Sequence, residues 1–179
     1  MRVSLTVLRR PAAIGFPSCA LTLWGIGSPS EASAEETSSW VRSESPIVRS
    51  AIALARERSA TFRQLMESID ATDGLIYIVE GQCPRGVGAC LHLSVGIAGP
   101  CRLLRIIVNP RWSPGCGMVQ SIAHELQHAW EALADRNVRT STGLYRLFER
   151  IGPTGSGNFE TRDALKMGAI VARETCGKS

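Results

Sequence analysis

Two histidines four positions apart, with a glutamate directly after the first, are the residues of this chain best suited to chemistry. They are His124, Glu125 and His128. Four residues is slightly more than one helical turn, so both histidine side chains would project from the same helix face, close enough to hold one metal ion. Glu125 would lie about 100° around the helix, within reach of a metal-bound water. The spacing predicts a zinc-binding helix with a general base beside it.

The surroundings of these three residues favour a metal site over a chance match. The whole chain has 3 histidines, and two of them belong to the pattern. The flanking positions are apolar, as in a largely buried helix: Val119, Ile122, Ala123, Leu126, Ala129, Trp130 and Leu133. The pattern H-E-x-x-H resembles that of the zincin metallopeptidases. The resemblance implies Zn²⁺ as cofactor and a peptide or protein as substrate.

The resemblance also implies a third metal ligand downstream of the motif. The metzincin continuation is excluded, because Glu131 stands where that pattern requires glycine. The gluzincin group instead takes a glutamate from a later helix, and Glu160 fits. It follows a breaker rich in glycine and proline at 152–157, and an apolar helical face comes after it. Three other acids are alternative ligands: Glu131, Asp135 and Glu149.

Three further residues have two possible roles each. Gluzincins stabilise the oxyanion with Tyr, His or Arg; Tyr145 is the candidate here, although it also fits a core stripe on its own helix. Many gluzincins orient a zinc histidine with an acid four residues after the ligand glutamate, where this chain has Ala164. Asp163 either takes that role or is a solvated charge. His92 is expected to have a structural or substrate-edge role in a strand.

The elements that must position these residues are several helices and one small sheet. Helices are predicted at 46–56, 59–69 and 117–133, and strands at 75–79, 89–97 and 102–108. The Gly99-Pro100 turn between the last two strands indicates a hairpin. The order predicts an α+β fold, in which a small antiparallel or mixed sheet precedes the motif helix. The zincin resemblance implies that an edge strand, either 89–97 or 102–108, binds an extended peptide.

The N-terminal segment has the layout of a secretory signal peptide, predicted at 1–34. Basic residues precede an apolar run at 12–26, and a small-x-small site ends at Ala34. This run is too short for a membrane span and is interrupted by proline. We therefore expect an exported protein, periplasmic or secreted, with an uncleaved anchor as the alternative. We predict a flexible leader at 35–45 and a single zincin-like catalytic domain at 46–179. The net charge of +4 is spread without a basic run, which argues against nucleic acid as partner.

Cysteines also indicate export. The chain has 6 cysteines, and all but Cys19 lie after the predicted cleavage site. In an exported protein they predict disulfides rather than zinc thiolates. Cys83 pairs in this interpretation either with Cys90 or with Cys101, and the connectivity stays open. An odd number leaves one thiol over, and Cys176 is the expected one.

Three functions fit these patterns. The first is a zinc metallopeptidase with ligands His124, His128 and Glu160 and with Glu125 as general base. The second is a catalytically silent exported protein whose two helices are joined by zinc. The third is a disulfide-stapled binding protein without metal. An open coordination position would separate the first from the second, because structural zinc sites are closed by four protein ligands.

Overall fold

The computed structural model describes residues 40–84, 86–111, 114–152 and 159–177. In chain order the elements are β1 (Val41–Arg42), α1 (Pro46–Arg58), α2 (Ala60–Asp70), β2 (Gly74–Glu80), β3 (Ala89–Ala98), β4 (Cys101–Val108), α3 (Cys116–Ala134), α4 (Ser141–Ile151) and α5 (Arg162–Cys176). The predicted α+β class is confirmed. Among these residues, none of the helices has the length and apolar character that a membrane crossing requires.

The sheet is mixed and has the strand order β1-β2-β4-β3. The first three neighbours in this order are parallel, whereas β3 and β4 form the predicted antiparallel hairpin, with Ala98 opposite Cys101. Because β4 lies between β2 and β3, the segment 102–108 is interior and cannot offer a free edge. The prediction of a peptide-binding edge at 102–108 is therefore wrong, and 89–97 is the edge segment.

The edge strand carries an irregularity in its middle. His92 pairs with Arg105 and Gly96 with Leu103, so three residues of β3, 93–95, stand opposite a single residue of β4. Extra residues of this kind interrupt the ladder and bend the strand, often beside functional sites. The inward side chains of β2 and β4 pack with helix residues in the core: Ile76, Ile78, Leu104, Ile106 and Val108.

The predicted flexible leader is ordered where the structure describes it. Val41 pairs with Ile76 of β2 and is 7% exposed. Ser45 caps the first helix, since its side chain accepts a hydrogen bond from the Val48 amide. The prediction of flexibility is wrong for 40–45, because this stretch extends the sheet and starts α1. The predicted signal peptide and the rest of the leader, up to residue 39, lie outside the described residues.

Helix α3 is the motif helix and lies at the centre of the fold. It is buried on several faces, because it packs against α5 and also against the sheet. Its C-terminal end is held by Arg102 of β4, which is 1% exposed. The guanidinium donates to four carbonyl oxygens at this helix end, those of Ala132, Leu133, Asp135 and Val138. It also forms an ion pair with Asp73. A cation is favourable at a helix C-terminus, where carbonyls lack helical partners.

The N-terminal end of α3 is held by a disulfide. Cys116, its first residue, is bonded to Cys176, the last residue of α5. A second disulfide joins Cys83 and Cys90, which is one of the two predicted pairings. The prediction of Cys176 as a leftover thiol is wrong, because α5 runs antiparallel to α3 and brings its last residue to the start of the motif helix. No described cysteine is free.

Candidate metal centre

Three potential ligand atoms converge on one side of α3. His124 and His128 are one turn apart, and their Nε2 atoms are 3.2 Å from each other. Oε1 of Glu160 lies 3.3 Å from Nε2 of His124. The three ligand atoms all lie within 4.8 Å of one another, so this group could hold a metal ion. The structure thus brings together the two motif histidines and the distant glutamate that were predicted to act together.

Two of the separations suit a small tetrahedral cation. Ligands bound tetrahedrally to zinc at 2.0–2.1 Å would lie about 3.3 Å apart. The two contacts of His124 Nε2, at 3.2 and 3.3 Å, agree with this spacing. Imidazole nitrogens and a carboxylate oxygen are also the ligand types that zinc accepts.

Glu160 reaches the centre because α5 approaches α3 closely. At Gly168 an added Cβ would lie 3.0 Å from the carbonyl oxygen of Gln120 and 3.2 Å from Cβ of His124. A side chain there would require its neighbours on α3 to give way by a few tenths of an ångström. The predicted helical position of Glu160 is wrong, because α5 begins at Arg162 and Glu160 lies two residues before it.

Glu125 lies beside the ligand cluster and connects it to the edge strand. Its Oε2 accepts a hydrogen bond of 2.7 Å from the Leu91 amide of β3, and its Oε1 is 3.9 Å from Nε2 of His124. Burial raises the pKa of this carboxyl, against the opposing effect of His128, His124 and the Leu91 hydrogen bond. A carboxylate of raised pKa is a stronger proton acceptor, as a general base requires.

Glu131 contacts the ligand cluster in a way that the sequence pattern did not predict. It was considered only as an alternative ligand, but its Oε2 lies 3.1 Å from Nδ1 of His128, on the ring side opposite the cluster. Its Oε1 accepts hydrogen bonds from Thr161 and Gln127. Although burial raises its pKa, the hydrogen bonds from His128 and Thr161 outweigh this and hold the pKa below its ordinary value. The three-residue spacing from His128 along one helix face was the available signal.

Tyr145 lies close to the chain segment that carries Glu160, but outside the ligand cluster. Its ring packs edge-on against Phe159, with centroids 4.9 Å apart. It is 45% exposed, whereas Leu144 and Phe148 on the same helix are buried. The alternative of Tyr145 as a core residue is therefore wrong.

The other candidates stay outside the cluster. Asp163 is 74% exposed and faces only Lys166, so it is a solvated charge rather than an orienting group. His92 has its Nδ1 2.6 Å from the Ser94 hydroxyl, in the irregular part of β3. Asp135 forms an ion pair with Arg150. Neither His92 nor Asp135 is part of the metal-binding group.

Comparisons with known proteins give this chain no relative whose function could be transferred. No family model, no curated protein and no solved structure matches it. A function for the site must therefore be inferred from the side chains that form it.

Proposed function

We propose that this chain is a zinc-dependent metallopeptidase of the gluzincin type, with His124, His128 and Glu160 as the zinc ligands. The observation that carries the proposal is the convergence of two imidazole nitrogens and one carboxylate oxygen within 4.8 Å of one another. The two separations from His124 Nε2, 3.2 and 3.3 Å, match those of tetrahedral zinc ligands. Three protein ligands leave one coordination position for water or substrate, as in catalytic zinc sites.

Glu125 is the proposed general base. Zinc bound here would lower the pKa of a water to roughly 7 and polarise a substrate carbonyl. Glu125 would take the proton from that water and deliver it to the leaving amine. Its buried position and raised pKa support this role. Because Oε1 points toward His124 while Oε2 is held by Leu91, the carboxylate has one oxygen fixed and one directed at the cluster.

The edge strand supports a peptide as substrate. Leu91 of β3 donates its amide to Glu125, which places this outer edge of the sheet next to the proposed base. An extended peptide could pair with unoccupied backbone groups of such an edge. The scissile bond of a peptide bound along β3 would then lie beside the metal ligands.

Tyr145 is the proposed donor to the oxyanion. Within the described residues its side chain has only the ring contact with Phe159, so the hydroxyl is available to a substrate. Removing one oxyanion donor typically lowers kcat about 10²- to 10³-fold. Tyr145→Phe should produce such a loss without lowering the zinc content, and an unchanged kcat would remove Tyr145 from the mechanism.

The disulfides support export to an oxidising compartment. Cys83–Cys90 and Cys116–Cys176 are both formed, and such bonds persist in secreted and periplasmic proteins. We accordingly propose an exported peptidase that acts on peptides or proteins outside the cytoplasm.

The decisive experiment compares the parent protein with Glu125→Gln. Both are loaded with zinc, their metal content is measured by elemental mass spectrometry, and hydrolysis of a mixed peptide library is followed by mass spectrometry of the products. The proposal expects about one zinc per chain in both and cleavage only by the parent. Asp163→Asn is the matched control, since this exposed carboxylate lies near the site without touching it. Equal cleavage by the Glu125→Gln variant would refute the mechanism.

A zinc site without catalysis is the second candidate. The observation in its favour is that the same ligands join α3 to the segment directly before α5, and the two helices are already linked by Cys116–Cys176. Binding of a hydroxamate to the zinc-loaded protein separates the candidates. A catalytic site has a position open to this ligand, whereas a closed structural site excludes it.

A further inference from the structure

We infer that Glu131 couples the two arms of the metal centre, which are the histidines on α3 and the glutamate before α5. It orients His128 and anchors the segment that carries Glu160, without binding the metal itself. The inference rests on the proposed metal site, but it concerns metal affinity and needs no catalysis. Glu131 is therefore a positioning residue. Three contacts carry the inference, and each joins Glu131 to a different part of the site.

The first contact sets the hydrogen position on His128. A neutral imidazole has one N–H, and a carboxylate only accepts. Because Oε2 of Glu131 lies 3.1 Å from Nδ1 of His128, the proton belongs on Nδ1. The lone pair of Nε2 then points toward His124, 3.2 Å away, where the metal would bind. An outer carboxylate of this kind fixes both the tautomer and the ring orientation of a metal-binding histidine.

The second contact fixes the other arm. Oε1 of Glu131 accepts a hydrogen bond of 2.8 Å from the Thr161 hydroxyl. The same hydroxyl accepts from the Ala164 amide and caps α5. Thr161 directly follows Glu160, whose side chain is 41% exposed and forms an ion pair with His124. The position of the Glu160 carboxylate therefore depends on the backbone that Glu131 holds.

The third contact keeps Glu131 in place. Nε2 of Gln127, one turn earlier on α3, lies 3.3 Å from Oε1. The side chain of Glu131 is 10% exposed and Thr161 is 6% exposed, so water competes weakly for these hydrogen bonds. One buried carboxylate thus connects the histidine arm on α3 with the glutamate arm before α5.

The test measures zinc affinity by chelator competition in the full mature chain. Loss of an outer partner typically weakens metal binding 10- to 100-fold, and we expect this for Glu131→Ala. Thr161→Val removes the hydroxyl that reaches Glu131, and we expect a smaller loss. The double variant should bind about as weakly as Glu131→Ala alone, because the bond between the two residues is absent in either case. Asp163→Asn serves as the control and should stay within about twofold of the parent.

A second readout separates positioning from stability. The chain has 3 histidines, so ¹⁵N spectra of the metal-free protein resolve the tautomer of each ring. We expect the Nδ1–H tautomer for His128 in the parent and a shift toward Nε2–H in Glu131→Ala. A residue that only stabilises the fold would lower the unfolding temperature and leave this tautomer unchanged. Glu131→Leu removes both acceptor oxygens and fills a similar volume, so it provides the same measurement if Glu131→Ala does not fold.

The outcomes distinguish this inference from the proposed function. Absence of zinc binding by the parent would remove the metal site and the proposed peptidase together. Zinc bound by the parent, with affinity and His128 tautomer unchanged in the Glu131 variants, would overturn the coupling and leave the peptidase standing. Weaker zinc binding together with the tautomer shift, in Glu131→Ala or Glu131→Leu, would establish Glu131 as the positioning residue.

Discussion

The ends of helix α3 and its middle use buried polar groups in opposite ways. At the C-terminal end, the donors of Arg102 meet four carbonyl oxygens and the Asp73 carboxylate. In the middle, Nε2 of His124 lies within 3.3 Å of both Nε2 of His128 and Oε1 of Glu160. The donors of Arg102 are all matched with acceptors in a closed network, whereas the three atoms gathered in the middle are types that bind a metal ion.

This difference shows that a buried charge is not by itself a sign of function. Arg102 is the most deeply buried charged residue described, at 1% exposure, and its contacts account fully for its presence as a helix clamp. The histidine cluster differs, because its three gathered atoms form a group that could hold a metal ion. We therefore expect substitutions at the ends of α3 to lower stability, and substitutions in the middle to remove metal binding while the fold persists.

The largest expected effect comes from the closed network at the C-terminal end. Arg102→Ala would leave the Asp73 carboxylate and several helix carbonyls without their partner. Breaking a buried ion pair on one side costs about 3 to 5 kcal/mol, and urea unfolding of the metal-free protein would measure the loss. Arg105→Ala, an exposed arginine of the same strand, should stay within about 0.5 kcal/mol of the parent. Equal losses in the two variants would contradict the special role of Arg102.

The N-terminal end should respond almost as strongly. The Cys116–Cys176 disulfide closes a loop with a sequence separation of 60, against 7 for Cys83–Cys90. Loop-closure entropy then predicts losses of about 4 and about 2.5 kcal/mol, respectively, when each disulfide is replaced by two serines. Urea unfolding of the two double variants tests this order. A larger loss at Cys83–Cys90 would show that chain entropy does not set the contribution of these disulfides.

Local patterns were sufficient for much of the fold and for the centre of the site. Strands β2, β3 and β4, the Gly99-Pro100 hairpin and the motif helix were all predicted, because their periodicity and turn residues act within a few positions. The parallel pairing of β2 with β4 was not foreseen, since strand order depends on contacts between distant segments. Strand β1 was not predicted either, because a strand of two residues is too short to show a periodic pattern.

The site shows the same division between local and distant information. His124, Glu125 and His128 follow from spacing along one helix, and Glu160 was reached only through a family resemblance. The role of Glu131 depends on Thr161, thirty positions away, so spacing alone left it among the alternative ligands. The partner of Cys176 likewise became clear only when α5 was seen to run antiparallel to α3.

In the middle of α3, replacement of a ligand should remove metal binding without unfolding the protein. Free zinc at 100 times its dissociation constant would stabilise the parent by about 2.7 kcal/mol. His124→Ala, His128→Ala and Glu160→Ala should lose this zinc-dependent increment, which urea unfolding with and without zinc measures. His92→Ala is the matched control, because His92 contacts Ser94 instead of the cluster. Loss of the increment in His92→Ala as well would contradict the assignment of the ligands.

The smallest expected effect has the opposite sign and concerns Glu125. Burial raises the pKa of this carboxyl in the folded protein above its ordinary value of 4.5. Ionised Glu125 therefore costs stability once the pH rises above 4.5 and through the folded pKa, and this cost is absent in acid. Glu125→Gln should make the metal-free protein more stable than the parent at pH 7, by more than the roughly 0.5 kcal/mol of ordinary surface substitutions.

Two conditions should remove that advantage. Below pH 4.5 Glu125 becomes protonated in both the folded and the unfolded chain, so the free energies of unfolding of parent and variant should converge. Zinc should also reduce the difference, because a nearby cation compensates the buried carboxylate. Urea unfolding at pH 4 and pH 7, with and without zinc, tests both conditions. A variant less stable than the parent at pH 7 would mean that the Leu91 amide bond to Glu125 outweighs burial, and the middle of α3 would then resemble its ends.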